Sequence, residues 1–377
     1  MRRNPRILLI GCGHANLHVA AHAEALIERG AHVQLVDPGA FWYSGLATGM
    51  LGGRYEPGED QVDPRQIIER HGGEFIEDRV LSMNPRARHV RLAGGGQLEY
   101  DYVSINVGSR VDSDAIPGIA DDPTVWPVKP ISNLWRLRQH LEARFLAGDP
   151  PRVAVIGGGP SGSEVAANVT ALAARHGQEL LVTLITRDER LIAQAPPGAA
   201  RALRRTLAQQ GVVIRTRTAV VRRERRSLLA ADGSRIDADV VVLANGLETH
   251  PLIRELGLPT HPQDGLRVAG TLHSIADRKV FAAGDCAALE GFDLPRLGVF
   301  GVRQAACIHA NLLASVTGKP LVHYQPQRRY LSILNLGRGT ALATWGPFWW
   351  QARSSMWLKD VIDRRFLDNY RSDARET

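Results

Sequence analysis

The chain has 377 residues, 44% hydrophobic and 23% charged, which is enough apolar side chain for more than one buried core and too much for a disordered polymer. No stretch approaches the roughly 20 apolar residues that a membrane-crossing helix requires. The net charge of +7 favours an acidic partner, whether nucleotide phosphate, anionic membrane or nucleic acid, without choosing among them.

The chain opens with a basic run before the apolar Ile7–Ile10, as a signal peptide would, but Gly11 follows at once and no small-residue cleavage site is present. Residues 6–10 therefore read as a buried strand. The Gly11-Cys12-Gly13-His14-Ala15-Asn16 loop comes next, then an alanine-rich helix and a second strand ending at Asp37. Gly11 would permit the tight turn, and Gly13 would let the backbone approach a pyrophosphate facing the helix N-terminus. Asn16 stands where the fingerprint has its third glycine. Asp37 is placed to accept hydrogen bonds from ribose hydroxyls.

A strand in 98–111 ends on Gly108, and Pro117 and Pro127–Pro130 read as a crossover linker. The pattern then repeats. The strand Val153–Ile156 leads into Gly157-Gly158-Gly159-Pro160-Ser161-Gly162-Ser163-Glu164, which carries all three fingerprint glycines between a strand and a helix. Its second strand ends with Thr186-Arg187, where an enzyme selective for NAD carries an acid. Arginine there pairs with a ribose 2′-phosphate, so tolerance of or preference for NADP(H) is expected, against the plainer reading that Arg187 pairs with Asp188 or Glu189.

A related segment at 236–251 carries Gly246, and Arg215, Arg217, Arg222, Arg223, Arg225 and Arg226 read as a solvated hairpin edge. No nucleic-acid recognition module accompanies them, so no nucleic-acid partner is expected. A later strand ends in Ala283-Gly284-Asp285, a carboxylate suited to the ribityl hydroxyls of a flavin. Cys12, Cys286 and Cys307 are odd in number and far apart, encoding no disulfide framework and no metal site and fitting a reducing, cytoplasmic setting.

Residues 324–377 hold Trp345, Trp349, Trp350 and Trp357 beside Lys359, Arg364 and Arg365. Trp357, Val361, Ile362, Phe366 and Tyr370 share a helical stripe. That stripe either docks on the fold or lies in a membrane interface as a peripheral contact on the cytoplasmic face. Docking is favoured, because Asp360, Asp363 and Asp368 dilute the basic side.

Taken in order, the segments GCGHAN, Asp37, YVSINVGS, GGGPSGSE, VVVLANG and VFAAGD resemble the flavoproteins with two dinucleotide-binding domains, the pyridine nucleotide-disulfide oxidoreductase superfamily. Within it, Tyr43-SGLATG, Gly298-VFGVRQA and Trp357-LKDVIDRRF are similar to type II NADH dehydrogenases and the flavin domain associated with selenide-water dikinase. The resemblance implies an α/β fold of two Rossmann-like domains, the second inserted in the first, with a short helical tail. FAD would occupy residues 1–110 and 271–323, and NAD(P)H residues 111–270. It places Gly11, Gly13, His14 and Ala15 on the FAD pyrophosphate and Asp37 on its ribose. The Val80 backbone would lie on adenine, Asp285 on the ribityl chain, and the Gly298-Val299 backbone near the ring. Gly157, Gly159, Ser161, Gly162 and Glu164 would serve the nicotinamide nucleotide, and Arg303 and Gln304 would border the acceptor.

No cysteine has the spacing of a redox pair, so electrons are expected to pass from flavin directly to a small acceptor such as a quinone. Two alternatives stay open: a flavoprotein of selenium or sulfur metabolism, and a flavin-binding interaction module without turnover.

Overall fold

A computed structural model of the protein describes residues 4–261 and 265–371 and divides into two compact units. The basic start at 1–3 and the end of the tail at 372–377 lie outside the described residues.

The first unit comprises residues up to Phe41, Val62–Arg110 and Glu248–Gln327. Its centre is a five-stranded sheet in the order Val280–Ala282, Tyr102–Ile105, Arg6–Ile10, His32–Asp37, Glu74–Glu77, every neighbour parallel. Ile7 to Ile10 are all buried, as a strand covered on both faces by helices requires. Strand order reverses beside Arg6–Ile10, so the crevice at its carboxyl end, where Gly11 begins, is the place such sheets bind ligands. A 20-residue helix, Gly298–Thr317, packs against the His14–Ala20 helix and ends on Gly318, whose φ of 70° is the left-handed cap glycine adopts without strain. Val80 begins the first strand of a three-stranded antiparallel sheet, Val80–Asn84, His89–Leu92 and Gln97–Glu99.

The second unit comprises Trp42–Gln61, Val111–Leu247 and the tail from Arg328. Its five-stranded parallel sheet runs Val125–Pro127, Val240–Leu243, Val153–Ile156, Val182–Ile185, Val213–Arg215. The all-apolar runs VAVI and VVVL are wholly buried, and order again reverses at the central strand, just before Gly157. The tail forms an antiparallel sheet, Leu331–Asn335, Ala341–Trp345 and Phe348–Ala352, followed by the helix Arg353–Asp368.

The units are cut differently from the expected limits. Residues 248–270 belong to the first unit, because the Gly265–Val268 strand pairs with Ala287–Leu289. The tail and residues 42–61 belong to the second, because the Ser44–Leu51 helix and the tail sheet both pack on the Pro160–Arg175 helix. The reading of the arginine hairpin as wholly solvated fails for Arg223. It is buried, pairs with Asp122 at 3.0 Å and donates to the carbonyl of Ala238 at 3.0 Å.

The expected docking stripe is also revised. Met356, Lys359, Asp363 and Leu367 form the buried face of the tail helix, while Trp357, Val361 and Ile362 are exposed. Phe366 does pack inward, stacked on Tyr43 with ring centroids 4.5 Å apart. No described helix is long and apolar enough to cross a membrane.

Candidate functional site

In the first unit the glycine loop is held by Asn106, at the end of the adjacent strand. Its Oδ1 accepts from the backbone N–H groups of Ala15 (2.9 Å) and Asn16 (3.2 Å), its carbonyl accepts from Gly13 (3.1 Å), and its Nδ2 donates to the carbonyl of Ala283 (2.7 Å). One side chain thus ties the glycine loop to the strand that precedes Asp285. The same closeness explains Gly13: a Cβ there would lie 2.4 Å from Asn106 Oδ1 and 2.6 Å from its carbonyl oxygen. Gly11 has φ 76°, where glycine alone rests easily.

Asn16, fully buried, does by hydrogen bonding what a third glycine does by smallness. Its Nδ2 donates to the carbonyls of Ile10, Gly11 and Ser104, and its Oδ1 accepts from the Ser104 hydroxyl at 2.6 Å. Helix and strands are thereby tied together through one buried side chain.

Asp37 accepts from the N–H of Cys12 at 2.7 Å and of Gly39 at 3.1 Å, one on each carboxylate oxygen. Each oxygen keeps a lone pair for a further donor. Burial pushes its pKa up, against the pull of those two bonds. Asp285 accepts from the Ser109 hydroxyl at 2.7 Å, one residue beyond Gly108, which turns the chain with φ 75°. Gly284, Gly301 and His14 converge: a Cβ on Gly301 would lie 3.6 Å from the Gly284 Cα and 3.7 Å from the His14 Cβ. The Gly298–Thr317 helix starts without a side-chain cap, leaving the backbone at Gly298 and Val299 to meet an acceptor.

Gln304 and Arg303 part company. Gln304 is buried and its Oε1 accepts from the N–H of Gly284 at 2.6 Å, bracing the residue before Asp285, whereas Arg303 is exposed. A cavity of about 480 Å³ opens beside this brace, with Asp285, Arg296, Leu297, Phe300 and Gln304 among its walls. Gly11, Gly13 and Asp37 do not line it.

In the second unit the Pro160–Arg175 helix also starts uncapped, from Gly159 with Pro160 at its first position. A Cβ on Gly159 would meet nothing within 4 Å, so the loop presents bare backbone to open space. A Cβ on Gly162 would lie 1.9 Å from the carbonyl oxygen of Gly157, and one on Gly157 2.6 Å from that of Ala244. Gly162 and Gly157 serve the close approach of helix to strand; Gly159 and Ser161 border the opening. Gly246, at φ 63°, turns the chain after the neighbouring strand.

Glu164 lies one turn further along that helix. It accepts from the N–H of Asn335 at 2.7 Å and from the Thr48 hydroxyl at 3.3 Å. Burial raises its pKa, opposed by the charge of Lys359. Lys359 itself is buried and donates to Asp363 and to the carbonyl of Gly45, both at 2.8 Å. Burial works against its charge, but Asp363 and Glu164 prevail and hold its pKa above the usual value.

All three cysteines are buried and unpaired. Burial pushes the thiols of Cys286 and Cys307 up to about 11, and that of Cys12 well above its ordinary value.

Two glycine loops at the switch points of two parallel sheets, each leading into a helix, fit dinucleotides, and the comparisons agree. Residues 5–308 match the family model for pyridine nucleotide-disulphide oxidoreductases, and the chain belongs to that family of oxidoreductases. It is 23% identical to a type II NADH:quinone oxidoreductase of Haemophilus influenzae, covering 90% of this chain and 86% of that protein. It is 26% identical to the demethylphylloquinone reductase NdbB of Synechocystis, covering 87% and 84%. Among solved structures, NDH2 from Plasmodium falciparum in complex with NADH superposes with a TM-score of 0.80 at 14% identity, covering 98% of both chains.

Proposed function

We propose that the protein is an FAD-dependent NAD(P)H:acceptor oxidoreductase that delivers electrons from its flavin directly to a small acceptor, a quinone. The observation that carries this reading is the duplicated loop: a glycine turn leads from a buried parallel strand into a helix in each unit, and in the first unit Asp37 ends one strand and Asp285 follows another of the same sheet.

FAD belongs to the first unit. The Gly11–Ala15 backbone lies along its pyrophosphate, Asp37 takes the adenosine ribose, the Val80 backbone meets adenine, and Asp285 takes the ribityl hydroxyls. Ser109 and Gln304 act as positioning residues for Asp285, and the Gly298-Val299 backbone approaches the ring. NAD(P)H belongs to the second, with Gly159 and Ser161 along its pyrophosphate, Gly157 and Gly162 letting helix and strand approach closely enough to shape the loop, and Glu164 beside its nicotinamide ribose. A flavin held in the first unit would supply the two-electron redox chemistry that the side chains themselves lack. The buried, protonated thiols are poor nucleophiles, which supports transfer without a cysteine relay. The quinone-reducing relatives support the acceptor.

The exposed Trp345, Phe348, Trp349, Trp350 and Trp357, with Arg353, Arg364 and Arg365 among them, suit a peripheral contact with an anionic membrane from which a quinone is drawn.

The test is anaerobic mixing of the yellow protein with NADPH or NADH. Bleaching of the flavin band, reversed by a soluble quinone, is expected. A flavin that never bleaches leaves a non-catalytic module, and bleaching only by sulfide or selenide moves the protein to chalcogen metabolism.

A further inference from the structure

The short segment after the second strand of the second unit, Arg187–Ile192, is pinned at both ends to one residue of the glycine loop, Gly158. At its start Thr186 is buried, and its Cβ lies 2.6 Å from where a Cβ of Gly158 would stand. At its end the N–H of Ile192 donates to the carbonyl of Gly158 at 2.7 Å, with Ile192 at φ 41°. A β-branched residue rarely occupies that left-handed region.

A second non-glycine outlier sits alongside. Arg217 has φ 53°; its N–H donates to the carbonyl of Asp188, and that of Thr218 to the carbonyl of Thr186, both at 2.9 Å. Two strained residues therefore hold the loop in one shape, and strain of this kind gathers where geometry serves a ligand.

The charges on the loop are unequally engaged. Glu189 pairs with Arg217, and Asp188 accepts from the Thr186 hydroxyl at 3.4 Å. Arg187 is exposed, and among the described residues its guanidinium has neither an ion pair nor a hydrogen bond. The plain reading, that Arg187 merely neutralises Asp188 or Glu189, is thus not the arrangement found. No carboxylate stands at the strand end, where Thr186 takes its place; a carboxylate there would grip the ribose hydroxyls of NAD and repel a phosphate.

We propose that this pinned loop is a 2′-phosphate seat and that the nucleotide site is built for NADPH, with Arg187 as its specificity-determining residue. The inference rests on reading the 157–162 loop as a nicotinamide-nucleotide site and sharpens it. A guanidinium offers two parallel N–H donors matched to phosphate oxygens, and the fixed loop spares the cost of ordering them on binding.

The experiment is calorimetric titration of the full-length, flavin-loaded protein with NADP+ and, separately, NAD+. NADP+ is expected to bind roughly tenfold tighter or more, the gain of one charge-assisted, bidentate contact. Arg187→Glu should abolish that margin while shifting the NAD+ affinity by less than about twofold, and Arg187→Lys should restore part of it. Equal affinities, or a preference for NAD+, in the unaltered protein overturn the inference and leave the nucleotide site standing. Binding of neither nucleotide overturns the site as well.

Discussion

The hydroxyl of Tyr43 donates a 2.9 Å hydrogen bond to Oδ1 of Asp363, joining positions 320 residues apart inside the second unit. The other oxygen of Asp363 accepts from Lys359, so one carboxylate serves a phenol and an ammonium at once. Phe366 lies on the Tyr43 ring, which places an aromatic wall beside the pair. The C-terminal helix is therefore fastened by a buried charge network, where an apolar stripe was expected.

Removing the cation from this network should cost far more than removing a surface charge. Lys359→Met leaves the buried Asp363 without its counter-charge and takes a favourable charge from Glu164, a loss on the order of 3–5 kcal/mol. A melting experiment should show a fall of about 4–6 °C, whereas Arg364→Met, which breaks the exposed pair with Glu59, should change it by about 1 °C at most.

Asp60 gives the protein a pH dependence of known sign. It is fully buried, neither carboxylate oxygen has a hydrogen-bond partner among the described residues, and burial, aided by the charge of Asp363, pushes its pKa up to about 8. Lys359 and Arg371 oppose this more weakly. The folded state then holds a proton that the unfolded chain releases above its ordinary pKa of 3.8. Stability from this group is complete below that value and is lost as pH rises toward 8. Unfolding by urea at pH 5 and pH 8 should show a steeper loss in the native protein than in Asp60→Asn; parallel slopes would refute the assignment.

The two glycine loops should fail separately. Gly13→Ala forces a Cβ against Asn106 and should yield protein with little bound flavin by its visible spectrum. Gly162→Ala forces a Cβ against the carbonyl of Gly157 and should leave the protein yellow while slowing its bleaching by NAD(P)H at least tenfold, roughly the effect of 1.4 kcal/mol. Loss of flavin from both variants would contradict the division of labour.

What the sequence disclosed and what it hid differ in physical kind. Strand–glycine–helix repeats are local, so both parallel sheets and both loops are legible from residues 6–37 and 153–186. Asn106 is not. Nothing in INVGS marks an asparagine that caps a helix some 90 residues away, and only the fold reveals that it takes the N–H groups of Ala15 and Asn16. The tail was half legible: its amphipathic helix was visible, but the salt-bridged Lys359 and Asp363 resemble surface charges until Gly45 and Tyr43 are brought to them. Burial of a paired charge depends on partners distant in sequence, and helical periodicity carries no record of them.

The buried thiols make a chemical prediction. Native protein at pH 8 should resist alkylation at Cys286 and Cys307, whose thiols titrate near 11. The Cys286→Ala and Cys307→Ala variants should keep quinone reduction within about threefold, far short of the loss expected if a relay thiol were removed. A fall of two orders of magnitude in either variant would restore a cysteine relay.

The exposed tryptophans should be read by vesicles. Flotation with liposomes containing phosphatidylglycerol should carry the protein upward, and joint replacement of Trp350 and Trp357 by serine should leave it in the dense layer. Continued flotation of the double variant would assign any attraction to charge alone.

Both units are assembled from non-adjacent stretches: the first is not complete until Gln327, and the second draws on 42–61 and on everything after Arg328. A ribosome making this chain cannot finish the first body before Gln327 has emerged, nor the second before the stretch that follows Arg328. The two half-built cores must wait together, with the apolar faces of residues 6–37 and 153–186 exposed during synthesis. Nascent chains halted near residue 320 should therefore be chaperone-bound and protease-sensitive throughout, and native resistance should arrive in one late step.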